Sequence, residues 1–296
     1  MNKPGEWLLY GASGYTGRRI AEEARRRGLR PILAGRDPRK IRSLAERLGC
    51  PARVFPLRSV AGITEDLEGV RAVLNCAGPF SATAEPMMDA CLAAGVHYLD
   101  ITGEIAVIEA AAARHQRAVA AGVSLIPAVG FDVVPSDCLA AMLAERLPGA
   151  THLQLAFRLT GSPSAGTAKS MLEALPRGGR ARIAERIVRV PVAWKTREIP
   201  FRDGRRMAVT VPWGDVASAW HTTGIPNVEG VPRHAGGPDP LAPAVRAASA
   251  ALAAQSDPRV LPNLDRPVRS RRDRRASGPD ARLVLGPRYG QCGPCG

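Results

Sequence analysis

The sequence predicts an α/β protein: an N-terminal Rossmann doubly wound parallel sheet, followed by a second α+β domain. Three observations carry this expectation. A Gly-rich turn, Gly11-Ala-Ser-Gly14-Tyr-Thr-Gly17, sits between an apolar strand-like run and a helix-like run at the start of the chain. Strand-like and helix-like segments then alternate with short connections to about residue 130, as in a parallel sheet covered on both faces. Beyond Phe131 the rhythm changes to longer strand-like runs with fewer helices.

The elements follow in order. Residues 7–11 form a compact apolar strand, and 15–27 a helix with Ile20, Ala21 and Ala24 on its buried side. Residues 31–34 give a second strand and 38–48 a second helix. Further strands are expected at 53–57, 72–76, 97–101 and 124–129, with helices at 83–94 and 105–121 between the later ones. Right-handed crossovers would leave a ligand crevice at the carboxyl ends of these strands. A helix at 135–147 opens the second part, with strands at 152–157, 199–201 and 207–211 and a helix near 167–175. The last two strands flank Arg202-Asp-Gly-Arg205, a good hairpin turn, and 242–254 reads as an Ala-rich helix. The expected division is a dinucleotide-binding domain at 1–130, a substrate- and cofactor-covering domain at 131–262 and a basic disordered tail at 263–296. A frame-altered or truncated C-terminus is the second reading of that tail.

The chain has 296 residues, enough to bury a core, and is 45% hydrophobic with 4% aromatics, so the core must rest on aliphatic residues. No apolar run approaches the roughly 20 residues of a spanning helix, and the first residues lead straight into a strand rather than a signal peptide. A cytoplasmic protein without an integral membrane segment is expected. The net charge of +14 comes almost wholly from scattered arginines, with lysine only at Lys3, Lys40, Lys169 and Lys195. This argues against nucleic acid as a partner, though such a field attracts phosphorylated ligands. The six cysteines show no metal-ligand rhythm, and no metal is expected. Cys292-Gly-Pro-Cys295 has the spacing of a thiol redox motif but lacks the strand and helix such a motif needs.

In the Gly-rich turn, Gly11, Gly14 and Gly17 permit a tight turn, close approach to a pyrophosphate and close helix–strand packing. Ser13, Tyr15 and Thr16 complete the turn, and the helix N-terminus offers backbone N–H groups to phosphates. After the second strand, where an NAD site carries Asp or Glu, the sequence has Ala34-Gly35-Arg36, with Arg39 and Lys40 beyond. Arg36 and Lys40 suit a 2′-phosphate, so NADP is the expected cofactor, and Asp37 suits the cap of the next helix. Asn75-Cys-Ala-Gly78-Pro79 follows the fourth strand, where Asn75, Gly78 and Pro79 would pass close to the ribose or nicotinamide. For proton transfer the candidates are Asp132 just after the last strand, His221 beside Trp220, and Tyr98 near Asp100 and Glu104. Asp100 and Glu104 could equally cap the following helix, and Lys169 could bind an anionic substrate.

These segments together resemble the saccharopine dehydrogenase-like oxidoreductases. The resemblance rests on Gly11 to Gly17, Leu33-Ala-Gly-Arg36, Val73-Leu-Asn-Cys-Ala-Gly-Pro79 and His97-Tyr-Leu-Asp-Ile-Thr-Gly-Glu104. Gly130-Phe-Asp-Val-Val-Pro-Ser-Asp137 and the segment from Pro212 to Asn227 are similar to two further signatures, so six motifs fall in order between about residues 6 and 230. The resemblance implies a Rossmann domain and an α+β domain covering the cofactor, and a family that includes trans-acting enoyl reductases. The family continues into structure that packs back on the first domain, which the tail here does not resemble. Short-chain dehydrogenases, with a similar Gly-rich turn, need Lys four residues after a catalytic Tyr; Tyr10, Tyr15, Tyr98 and Tyr289 all lack it.

The expected function is therefore an NADP(H)-dependent oxidoreductase acting on a small metabolite or lipid-linked substrate, with a homodimer expected from frequency alone. The alternative is a non-catalytic NADP(H)-binding protein that senses redox state or binds a partner. A reductase working at a membrane surface is a third reading, from the basic charge and one family branch.

Overall fold

Strands of two to six residues alternating with helices build the first unit, which spans residues 1–138 together with 163–174. The computed structural model describes residues 6–159, 178–191, 194–201, 204–230, 233–234 and 282–285. Strands β1 (Glu6–Tyr10), β2 (Ile32–Gly35), β3 (Ala52–Val54), β4 (Val70–Asn75), β5 (His97–Asp100) and β6 (Leu125–Ile126) form one parallel sheet ordered β3-β2-β1-β4-β5-β6. That order reverses direction between β1 and β4, the switch point where a Rossmann sheet binds a dinucleotide. The Rossmann fold expected from the sequence is the fold observed.

Helices α1 (Tyr15–Arg26), α2 (Pro38–Leu48), α3 (Val60–Asp66), α4 (Phe80–Ala94), α5 (Ile105–Ala113) and α6 (His115–Ala121) make the crossovers. One face of the sheet packs Leu9 and Leu33 against Ala21, Ile41 and Leu44 of α1 and α2. The other packs Leu8, Val73 and Tyr98 against Met87, Met88 and Cys91 of α4. Central β2 is buried throughout and reads as an apolar run, whereas burial along β4 and β5 is interrupted, with exposed or half-buried residues between the buried ones.

Four local outcomes differ from the sequence expectation. The single helix expected over 105–121 is two, because Arg114 leaves helical geometry between α5 and α6. Its guanidinium bonds Asp89, Glu85 and the Ala110 carbonyl. Helix α3 was not foreseen; Ser59 starts it by accepting the Gly62 N–H at 3.2 Å. The strand expected over 124–129 shortens to two residues because Asp100 draws the backbone of Ala128 and Val129 out of the ladder. Helix α4 begins at Phe80 rather than at residue 83.

Helix α7 (Val134–Arg146) leads into the second unit, residues 139–162 and 175–296. There β7 (His152–Leu155), β9 (Gly179–Ile183), β10 (Arg186–Val190), β13 (Asn227–Gly230) and β15 (Arg282–Leu285) form a mixed sheet ordered β10-β9-β13-β7-β15. Strands β8 (Arg158–Leu159) and β14 (Arg233–His234) pair in parallel. Strands β11 (Thr196–Phe201) and β12 (Gly204–Val209) form the antiparallel hairpin read around residue 203, with Phe201 opposite Gly204. Leu153, Leu155 and Val228 of the sheet bury against Ala140 and Leu143 of α7 and Ala219 of α8 (Asp215–Thr223), a helix the sequence reading did not identify. Within the stretch expected to be a disordered tail, Arg282–Leu285 instead pairs with β7, its Leu-Val-Leu run being the apolar exception in a polar segment. The helices expected at 167–175 and 242–254 and the Cys292–Cys295 motif lie outside the described residues.

Candidate functional site

The turn from β1 into α1 is built on steric necessity. Gly11 has φ +78°, and a Cβ there would lie 2.7 Å from the Ala77 nitrogen and 2.8 Å from the Cys76 carbonyl carbon. No other residue combines that dihedral with so close a passage to the backbone leaving β4. A Cβ at Gly17 would collide with Gly11 O and lie 2.9 Å from Ala12 Cα, so this position sets how closely α1 lies on β1. Gly14 is the N-cap and bears no side-chain cap, and no acidic residue stands in the first turn. The N–H groups of Tyr15, Thr16 and Gly17 have no intrahelical acceptor, as at any helix start. With Gly14, Tyr15 and Thr16 exposed and Ser13 half-buried beside them, the turn presents donors and a positive helix end to an anion.

Helix α4 starts on the same edge of the sheet but is closed. Both carboxylate oxygens of Glu104 accept from its first turn, from the Phe80 and Ser81 N–H groups at 2.9 Å each. Glu104 thus caps α4 across the crevice edge, and although it is the N-cap residue of α5 by position it gives that helix no side-chain cap. Of these two helix ends, α1 is the one left open for a pyrophosphate.

Arg36 is exposed just past the end of β2 and makes no hydrogen bond or ion pair among the described residues. Asp37 caps α2 as the sequence implied, accepting the Lys40 N–H at 3.1 Å. The same carboxylate lies 3.6 Å from Lys40 Nζ, so Lys40 is already paired and offers a weaker hold on a 2′-phosphate than Arg36. Tyr10, buried at the end of β1, donates to the Phe55 carbonyl at 3.1 Å. Burial pushes its hydroxyl up to about 12, opposed by the nearby Arg36 charge.

The loop after β4 is held from beneath. Asn75 is fully buried: its Oδ1 accepts the Ala77 N–H at 3.0 Å and its Nδ2 reaches Thr83 Oγ1 and Tyr98 OH. The expectation that Asn75 touches the cofactor is therefore corrected, since its side chain is spent inside the sheet. Its bond to the Ala77 N–H fixes the backbone just before Gly78 and Pro79, which lie at the surface of the loop and are joined by a cis peptide bond.

Tyr98 is likewise corrected as a catalytic acid. It is fully buried in the core beneath α4, and its hydroxyl donates to Asp100 Oδ2 at 2.7 Å. Burial and the adjacent carboxylate push its proton affinity far up. Asp132 is placed better. Its Oδ2 lies 3.0 Å from where a Cβ on Gly103 would stand, and its Oδ1 3.2 Å from that of Gly130. The two glycines make room for the carboxylate where the loops after β5 and β6 meet. Desolvation of the carboxyl by these loops pushes its pKa above the ordinary aspartate value, while the residue as a whole is exposed. Phe131 beside it is 69% exposed. His221 belongs to the second unit, exposed on α8 and edge-on to the Trp220 ring at 4.8 Å. Lys169 lies outside the described residues. The roles of Gly103, Gly130 and Glu104 escaped the sequence reading, because room left for a carboxylate and capping across loops have no local pattern.

A Rossmann sheet of this order, an open α1 N-terminus and a glycine pressed against the β4 backbone define a dinucleotide-binding domain. Residues 7–126 match the family model of the saccharopine dehydrogenase NADP binding domain. Over 226 residues the chain is 32% identical to a candidate trans-acting enoyl reductase of Mycobacterium tuberculosis, covering 68% of this chain and 54% of that protein. It is 30% identical over 155 residues to a saccharopine dehydrogenase-like oxidoreductase of Homo sapiens, covering 46% and 36%. The chain spans about half the length of the first relative and about a third of the second. Apo saccharopine dehydrogenase (L-Glu forming) from Saccharomyces cerevisiae shares the fold, with a TM-score of 0.56 at 12% identity over 77% of this chain and 54% of that one. Among the described residues no helix is long and apolar enough to cross a membrane.

Proposed function

We propose that the protein is an NADP(H)-dependent oxidoreductase that reduces or oxidises a CH–CH, CH–NH or CH–OH group of a small or lipid-linked substrate. The observation that carries the reading is geometric: the open phosphate turn and the Asp132 carboxylate, seated in the room left by Gly103 and Gly130, lie in the same unit at the carboxyl edge of the same sheet. When bound, NADPH supplies a hydride, and the reduced acceptor then needs one proton. The turn from Gly11 to Gly17 binds the pyrophosphate through backbone N–H groups, and Arg36 pairs with the 2′-phosphate. Asp132, held where the loops after β5 and β6 meet, donates it. Exposed Phe131 supplies an apolar surface beside that carboxyl.

The test is loss of NADPH absorbance with an α,β-unsaturated thioester, an imine and a ketone supplied in turn. One class should be reduced, and Asp132→Asn should lower kcat by about 100-fold or more while leaving NADPH affinity in place. NADPH bound tightly but consumed with none of the three would instead favour a non-catalytic, redox-sensing role.

A further inference from the structure

A line of buried polar side chains runs beneath the three loops that follow β4, β5 and β6. It starts at Thr83 on α4, whose hydroxyl donates to the Ala77 carbonyl at 2.6 Å and faces Asn75 Nδ2 at 3.3 Å. Asn75 holds the Ala77 N–H and reaches the Tyr98 hydroxyl at 3.4 Å. Tyr98 donates to Asp100 Oδ2. The other oxygen of Asp100 accepts from the Thr102 N–H at 2.9 Å and the Ala128 N–H at 2.8 Å. Asn75, Tyr98 and Asp100 are each fully buried, so none can meet a ligand directly. A core of this size could have been closed with apolar residues at less desolvation cost. What apolar residues could not do is bind the backbones of residues 77, 102 and 128 to one another.

Two further facts tie the loop after β6 to Asp100, one through its side chain and one through its backbone. Ala128 adopts φ +60°, a left-handed conformation that an alanine rarely holds, and its N–H is the one bonded to Asp100. The Val129 N–H bonds the Asp100 main-chain oxygen at 2.8 Å, so both residues leading to Gly130 and Asp132 hang on Asp100. In a Rossmann sheet the first three strands serve the adenylate half of the dinucleotide and the last three the other half. The line lies wholly under the last three.

We propose that Thr83, Asn75, Tyr98 and Asp100 are positioning residues that shape the nicotinamide half of the crevice from inside the sheet, leaving the adenylate half independent of them. The inference rests on the NADP-binding assignment and adds to it a division of labour between the two halves of the site.

The test compares two ligands, NADPH and 2′,5′-ADP, the second carrying only the adenylate half with its 2′-phosphate. In Tyr98→Phe the ring stays and the hydroxyl is lost. NADPH binding should weaken by about 10-fold while 2′,5′-ADP binding stays within about 2-fold, because one buried hydrogen bond is removed behind one half of the site. A general loss of structure would weaken both ligands together, and an unchanged ratio of the two affinities overturns the proposal. Should Tyr98→Phe fail to fold, the pair Thr83→Val and Thr83→Ser decides, since Thr83 lies at the edge of the core. Valine should reproduce the selective loss and serine should restore NADPH affinity; equal behaviour of the two variants overturns the proposal. Wild-type protein that binds 2′,5′-ADP and NADPH equally well also overturns it. Binding of neither ligand overturns the cofactor assignment itself, and the role of the buried line with it.

Discussion

Replacing Gly17 by alanine separates packing from propensity. In an ordinary helix the change would help by about 1 kcal/mol, because glycine is the poorer helix former. Here the added methyl group would lie 2.9 Å from Ala12 Cα and 3.0 Å from the Gly11 carbonyl carbon, and closer still to Gly11 O. All three are backbone atoms of the turn, so relief requires α1 to move off β1. Overpacking of this kind costs about 1–3 kcal/mol, and a contact with immobile backbone belongs at the upper end. The net effect is a destabilisation of about 1–2 kcal/mol, or a fall in Tm of about 2–8 °C for a unit of this size. Thermal unfolding followed by circular dichroism measures it, with Gly14→Ala as the control. At Gly14 the backbone is ordinary and the nearest atom to an added Cβ is Gly11 O at 3.2 Å, a tight contact rather than a collision, so Tm should fall less than in Gly17→Ala. Both variants should lose NADPH affinity, Gly17→Ala because the turn shifts and Gly14→Ala because the methyl group faces the phosphates. A Gly17→Ala protein that melts at or above the wild-type temperature refutes the packing account.

Three further outcomes are expected. The β9–β10 turn places Ala184 and Glu185 at φ +47° and +71°, so Ala184→Asn with Glu185→Gly should stabilise the second unit by about 1–2 kcal/mol, read from urea unfolding. Burial raises the Cys91 thiol from 9.0 to about 12, so the folded state keeps a proton that the unfolded state releases, and stability is lost as pH rises through that window. Cys91→Ala should make the alkaline decline shallower by up to about 1.4 kcal/mol per pH unit, and an unchanged slope in pH-dependent urea unfolding would contradict the burial argument. Glu104→Ala leaves the Phe80 and Ser81 N–H groups without their carboxylate and should cost about 1–2 kcal/mol, visible as faster hydrogen exchange at the start of α4.

Much of the first unit was legible because its signals are local. Asp37-Pro38 announces the start of α2 by a cap and a preset φ, and the helix runs from Pro38 to Leu48 as read. The Gly11 to Gly17 turn was legible because its glycines answer steric demands within one strand–turn–helix unit. What failed was decided by distant partners. Tyr98 looked like a crevice residue because it sits near the end of a strand beside acids. The alternation of burial along β5 instead turns its ring beneath α4. Asn75 and Glu104 were misjudged for the same reason: their partners lie on neighbouring crossovers, at separations no local pattern encodes. The β9–β10 hairpin carries Ala184-Glu185 where a turn of that kind favours Asn-Gly. It is fixed from outside, by Asn227 Oδ1 on the Ala184 N–H and the Pro226 carbonyl on the Glu185 N–H.

The most direct test of the central claim is a titration of wild-type and Arg36→Ala protein with NADPH and NADH, followed by nicotinamide fluorescence. Arg36 stands exposed at the end of β2 without a protein partner among the described residues, so pairing with a 2′-phosphate should contribute about 1.5–3 kcal/mol. Wild-type protein should therefore prefer NADPH by about 10- to 100-fold, and Arg36→Ala should remove most of that preference while leaving NADH binding unchanged. Equal affinity for the two nucleotides in the wild type, or a preference that survives Arg36→Ala, would contradict the account.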